Sequence, residues 1–130
     1  MNNRLRTVLL AALLAALAGC ALEPKPGLTD VMQRPAERAL FNGLRAYEDG
    51  QYADTERELG RALAAGLTSA KDRAAAHKHL AFVYCASNRI SACEAAFRAA
   101  FTADPAFALT RAEAGHPVWG PVYRRVTATR

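Results

Sequence analysis

Few residues in this 130-residue chain have the types and the spacing that catalysis or metal binding requires. His77 and His79 are two positions apart, which places them about 200° apart around a helix, so one turn cannot direct both imidazoles at one metal ion. The sequence has no Cys-x-x-Cys pair, no Ser–His–Asp order typical of hydrolases and no glycine-rich phosphate loop. We therefore expect no enzymatic activity, no metal, no cofactor and no small-molecule substrate.

The chemistry that the sequence does indicate is at Cys20. Arg4 and Arg6 precede an apolar run, residues 8–18, which has the length of the hydrophobic region of a signal peptide and is too short to span a bilayer. Leu17-Ala18-Gly19-Cys20 follows and resembles a bacterial lipobox, in which cleavage precedes the cysteine and acyl chains such as palmitate are attached to it. We expect residues 1–19 to be a lipoprotein signal peptide and Cys20 to be lipidated. An ordinary signal peptide with an incidental cysteine is the alternative.

Two or three acyl chains on Cys20 would form a permanent membrane anchor, because each buried methylene contributes about 0.8 kcal/mol. The next residue is Ala21 rather than Asp, and in the Gram-negative lipoproteins that this region resembles, that favours the outer membrane, facing the periplasm. Residues 20–35 contain three prolines and are expected to form a flexible tether. In the alternative, the second half of this segment packs on the domain.

The composition indicates an all-α domain, because 30 of the 130 residues are alanine, which has the best helix propensity. The length allows one small domain and excludes a doubly wound nucleotide-binding enzyme or a barrel. Removal of the signal peptide would lower the formal net charge from +5 to +3. The charge is therefore no argument for nucleic-acid binding, and we expect none.

From residue 36 onward, apolar residues recur at helical spacing and mark two helical hairpins, at about 36–69 and 74–107. Both resemble the tetratricopeptide repeat (TPR), a 34-residue helix–turn–helix. The second hairpin fits the repeat's large and small positions almost fully, with Leu80, Ala81, Tyr84, Ile90, Cys93, Phe97, Ala100 and Pro105. The first fits with Gly43, Tyr52, Leu59 and Ala62, but departs at Asn42 and Thr55 and lacks the closing proline. The resemblance implies a helical hairpin solenoid of two repeats; a helical bundle without repeats is the alternative.

Two repeats need a cap, because each repeat buries its apolar face against a neighbour, and residues 108–130 are expected to supply it. Thr110 and Glu113 have the spacing of a capping box, and Pro121 suits the first turn of a final helix. We expect Trp119 to pack against the second repeat. The tail is also similar to that of small TPR lipoproteins associated with type VI secretion systems, through residues 104–107, 112–117 and 119–122.

Cys85 and Cys93 lie on opposite sides of the turn at residues 87–89, and in the repeat register they face each other. Because the bacterial periplasm is oxidising, we expect them to form a disulfide. Two buried thiols that act as small hydrophobic residues are the alternative. In the same register His77 is expected to pack and His79 to face solvent.

In TPR proteins the first helix of each repeat lines a concave groove. The resemblance places five residues of this chain there as partner contacts: Leu40, Leu44, Tyr47, Lys78 and Phe82. A peptide or a helix could lie in such a groove. In the alternative, the tail or the tether fills it.

These observations together predict an outer-membrane lipoprotein that acts in the periplasm as a protein–protein interaction adaptor or assembly factor. Its partner would be a protein of the cell envelope, and the most specific version is a component accessory to a type VI secretion system. The alternative is a structural lipoprotein that associates with itself or clasps the cell wall.

Charge is distributed unevenly along the expected domain. Residues 36–65 contain four basic and six acidic residues, a net charge of −2, whereas residues 66–130 contain nine basic and four acidic residues, a net charge of +5. A solvated basic tail is expected. Contact with an acidic partner, lipid A phosphates or another subunit is the alternative.

Overall fold

A computed structural model describes Gly27, Asp30 and residues 33–130, and all the regular elements within that part of the chain are helices. In chain order these are α1 (Pro35–Glu48), α2 (Tyr52–Ala65), α3 (Ala70–Ala86), α4 (Ile90–Ala103), α5 (Arg111–Ala114) and α6 (Gly120–Ala128). The prediction of an all-α fold is therefore confirmed. The predicted signal peptide, Cys20 and most of the expected tether lie outside the described residues.

The first four helices form two antiparallel hairpins, α1 with α2 and α3 with α4, and α2 packs against α3. The loops that follow α1 and α2 each contain a glycine at which the chain turns. Gly50 and Gly66 adopt positive φ angles of 71° and 88°, which glycine adopts without steric cost. Ser69 then starts α3, because its Oγ accepts a hydrogen bond from the Asp72 N–H at 3.2 Å.

Small residues let the two helices of each hairpin approach closely. Gly43 in α1 faces Leu59 in α2, and a Cβ atom at position 43 would lie only 2.5 Å from Leu59 Cδ2. In the second hairpin Ala81 and Ala100 are fully buried. The large side chain of Phe97, also without solvent exposure, fills the space beside them.

The C-terminal residues cover the open side of the second hairpin. Helix α5 begins with a capping box, in which the Glu113 N–H donates to Thr110 Oγ1 at 3.2 Å and the Thr110 N–H donates to Glu113 Oε2 at 2.9 Å. Helix α6 starts at Gly120 and packs on α4, and its Val122 and Val126 are buried in the core. The predicted capping box and final helix are both confirmed.

A disulfide joins Cys85 near the end of α3 to Cys93 in the first turn of α4, with their Cα atoms 5.2 Å apart. Both residues are buried. The bond closes a short loop around Asn88, whose positive φ of 59° turns the chain between the two helices. A loop of this length removes conformations from the unfolded chain and is worth about 2–3 kcal/mol in the chain-entropy account.

We predict that Cys85→Ala with Cys93→Ala lowers the free energy of unfolding by about 2–3 kcal/mol. Urea titration followed by circular dichroism measures this change. A reductant should weaken the wild-type protein by a similar amount and leave the double variant unaffected. In a Cys20→Ser background, two free thiols in the unfolded, unreduced protein would contradict the bond.

Candidate functional site

The five residues expected to line a groove come from α1 and α3 and differ widely in their exposure. Leu40 is buried in the core, and Leu44, Tyr47 and Lys78 are half-buried. Phe82 retains only 3% of its exposure. The two helices therefore direct these side chains to a common inner face, but most of that face is covered.

Aromatic rings run across this inner face and form one cluster, which we call the inner cluster. The Tyr47 ring meets His79 edge-on at 5.0 Å between centroids, and His79 meets Phe82 in the same way at 5.8 Å. Trp119 stacks on Phe82 at 4.2 Å, and His116 stacks on Trp119 at 3.4 Å. The inner cluster therefore joins α1, α3 and the C-terminal segment, and the expected packing of Trp119 on the second hairpin is confirmed.

Polar contacts hold the same segment in place. Lys78 Nζ lies 2.8 Å from Glu113 Oε1, and both side chains are partly buried. The Trp119 indole N–H donates to the Glu113 carbonyl oxygen at 2.9 Å. Although burial opposes ionisation, hydrogen bonds from Lys78 and from the Thr110 N–H lower the pKa of the Glu113 carboxyl below its ordinary value.

The inner face of the second hairpin therefore differs from an open groove. Phe82 lies beneath Trp119, and Lys78 is paired with Glu113, so neither side chain is free for a partner in this structure. The tail thus covers this part of the expected groove, and the assignment of Lys78 and Phe82 as partner contacts stays a prediction. The physical reason is that a two-hairpin stack has no third hairpin to cover Phe82, and the tail takes that position.

The prediction that His79 faces solvent is wrong. Its ring packs between Tyr47 and Phe82, and its Nδ1 lies 2.8 Å from the Ala75 carbonyl oxygen. Burial lowers the pKa of His79 and so favours the neutral imidazole. A neutral ring with its proton on Nδ1 donates to that carbonyl, so His79 serves packing on the inner face.

One part of the inner surface stays open, on the first hairpin. Phe41 is 48% exposed and lies one helical turn before Leu44, beside a surface cavity of about 570 Å³ that Arg45, Glu48 and Asp49 also line. We call this surface the α1 strip: Phe41, Leu44, Arg45, Glu48 and Asp49. It is apolar at one end and predominantly acidic at the other.

Sequence reasoning identified Leu44 in the α1 strip and missed Phe41. The available signal was the spacing of Phe41 three residues before Leu44 and seven before Glu48, which puts all three on one helical face. Leu40 masked this signal, because it belongs to the buried stripe of the same helix and is adjacent to Phe41 in sequence.

Two further observations concern the described residues as a group. Among them, no three His, Cys, Asp or Glu side chains come together as a metal ion would require. None of the helices in this part of the chain has both the length and the apolar character that crossing a bilayer demands. The described residues therefore form a packed helical scaffold, and the α1 strip is an exposed, partly apolar part of its surface.

Comparison of the chain with protein-family models, with curated proteins and with solved structures gives no match.

We predict that Glu113→Gln destabilises the protein at pH 7 by about 1 kcal/mol, because it removes the charge that pairs with Lys78. Since folding lowers the pKa of Glu113, its contribution is present above the ordinary glutamate range near pH 4.5 and is lost as pH falls through the lower folded pKa. The difference between wild type and variant in urea titrations should therefore shrink in acid. Exposed Glu48→Gln is the matched control, and an acid-independent difference for Glu113→Gln would contradict the ion-pair account.

Proposed function

We propose that this protein is a lipid-anchored adaptor or assembly factor of the bacterial cell envelope, built on two TPR-like repeats. In this proposal Cys20 carries the lipid, residues 20–35 are the tether, and the domain projects from the outer membrane into the periplasm. The lipobox-like sequence Leu17-Ala18-Gly19-Cys20 supports the anchor. The disulfide between Cys85 and Cys93 agrees with an oxidising compartment.

The helical scaffold supports the repeat interpretation. Consecutive hairpins pack α2 against α3, as neighbouring repeats do, and the first helices of both hairpins also touch. Gly43 and Ala81 occupy the small position of the repeat pattern, where α1 and α3 approach their partner helices. Helices α5 and α6 then act as the terminal cap that a repeat array needs.

The observation that carries the binding function is the exposure of Phe41. A phenylalanine at 48% exposure beside half-buried Leu44 is apolar surface that the domain itself leaves uncovered. Glu48 and Asp49 lie at the far end of the α1 strip. The partner segment that fits is a peptide or helix with an apolar side chain for Phe41 and a basic residue for the acidic end.

The most specific form of this proposal is an accessory role in a type VI secretion system, and its support is the similarity of the tail sequence alone. A structural, self-associating lipoprotein is the second candidate. It is favoured by the opposite net charges of two parts of the chain, −2 for residues 36–65 and +5 for residues 66–130, which suit head-to-tail contact between copies.

We predict that a photo-crosslinking amino acid at Phe41 captures one discrete protein in cells that produce the lipidated chain. The adduct is identified by mass spectrometry. Arg57 on α2 is the control position, because its side chain is also about half exposed but lies outside the α1 strip. The Cys20→Ser variant, which lacks the acylated thiol, should give much less adduct because the protein no longer reaches its membrane.

Adducts between two copies at Phe41 would favour the structural alternative. Equal labelling at Phe41 and Arg57 would contradict a docking role for the α1 strip. A Phe41→Glu variant that stays folded by circular dichroism but loses the adduct partner in co-purification would support it.

A further inference from the structure

A second surface cavity lies at the opposite end of the domain, between α4 and α6, with a volume of about 470 Å³. Its floor is apolar: Phe101 and Val126 are both buried beneath it. Its rim carries the guanidinium groups of Arg98 and Arg130. A cavity of this size is within the range of small-molecule sites, which are mainly apolar with a few placed polar groups.

The two rim arginines are held in different ways. Arg130 lies with its guanidinium carbon 3.9 Å from the centre of the Phe101 ring, and one of its N–H groups is 3.4 Å from the Pro105 carbonyl oxygen. Stacking uses the flat face of a guanidinium and leaves most of its N–H edge for hydrogen bonds. The Arg130 edge is therefore positioned at the rim above an aromatic floor.

Nearby carboxylates leave the rim positive. Glu94 forms ion pairs with Arg125 at 2.9 Å and with Arg98 at 3.7 Å, so its single negative charge is shared between two guanidinium groups. Asp104 Oδ1 accepts a hydrogen bond from the Ala106 N–H at 3.0 Å. None of the described side chains that line the cavity is a carboxylate. These side chains therefore offer two guanidinium groups and no acidic partner for a ligand's own positive charge.

We propose that this cavity binds a small amphipathic anion, a carboxylate that bears an aryl or short alkyl group. The carboxylate lies between Arg98 and Arg130, where the N–H edges of guanidinium groups match its two oxygens. The apolar group lies beside the Arg130–Phe101 stack, against Pro105 and Val126. This site is separate from the α1 strip, so it stands or fails independently of the adaptor proposal.

The test is a titration of the full chain carrying Cys20→Ser, which has no acyl chain of its own at that position. Backbone NMR signals of Thr102 and Thr129, which line the cavity, report binding. We expect 3-phenylpropionate to shift them saturably, whereas 3-phenylpropionamide lacks the charge and acetate lacks the apolar group, so both bind much more weakly. N-acetylphenylalanine separates two sources of the same chemistry: tighter binding than 3-phenylpropionate indicates a peptide C-terminus, and equal binding indicates a free organic acid.

Single variants locate the anion. Arg98→Gln and Arg130→Gln should each raise the Kd for 3-phenylpropionate by about two- to fivefold, the range expected for an exposed ion pair. Arg57→Gln on α2 is the control and should leave the Kd unchanged. The variants are compared only if their circular dichroism matches that of the parent.

Three results would overturn the proposal. These are equal binding of the acid and its amide, a Kd that is the same in all three arginine variants, and shifts that do not saturate at millimolar ligand. Weaker binding at higher ionic strength, seen for the acid and not for the amide, would add support because salt screens the guanidinium charge.

Discussion

The stacking of Trp119 on Phe82 is the contact on which the rest of this domain depends. Two helical hairpins alone would leave one face of the second hairpin exposed, because each hairpin covers the apolar face of its neighbour. Here the C-terminal segment covers that face: Trp119 closes over Phe82, Leu109 is buried, and Val122 and Val126 pack into the core. The tail is therefore a structural part of the domain, and a chain without it would expose Phe82 and much of α4.

In the proposed adaptor role, this arrangement limits where a partner could bind. A larger repeat array uses its whole inner face, but in this domain the inner cluster joins α3 to the tail and leaves the α1 strip exposed. The tail also creates new surface at its own end, because packing α6 on α4 forms the cavity beneath Arg98 and Arg130. Packing of the tail on the second hairpin therefore covers Phe82 on the inner face and forms the cavity between α4 and α6.

Local signals explain why much of the fold could be predicted. Gly66 ends α2, Ser69 caps α3, and Pro105 follows the end of α4, and each acts within a few residues of its own position. The capping box of Thr110 and Glu113 is equally local. Such signals depend on backbone geometry and near-neighbour hydrogen bonds, which the order of residues specifies directly.

The contents of the inner face could not be predicted in the same way. Lys78 and Glu113 are 35 residues apart, and nothing near either residue indicates the pair. His79 was misplaced because α3 packs against α1, α2 and α4 and against Trp119, so it lacks the single polar face on which periodicity arguments depend. Phe41 was missed for the opposite reason, since it is an exposed apolar residue directly beside Leu40 of the buried stripe.

Trp119 is the one tryptophan in the chain, so its fluorescence reports directly on its stacking against Phe82. The direct measurement is the emission maximum and acrylamide quenching of the native protein, followed through urea unfolding beside circular dichroism. We predict blue-shifted emission, quenching far below that of N-acetyltryptophanamide, and a fluorescence transition that coincides with the loss of helix. Solvent-like emission with free quenching, or a tryptophan transition complete before the helices unfold, would contradict it.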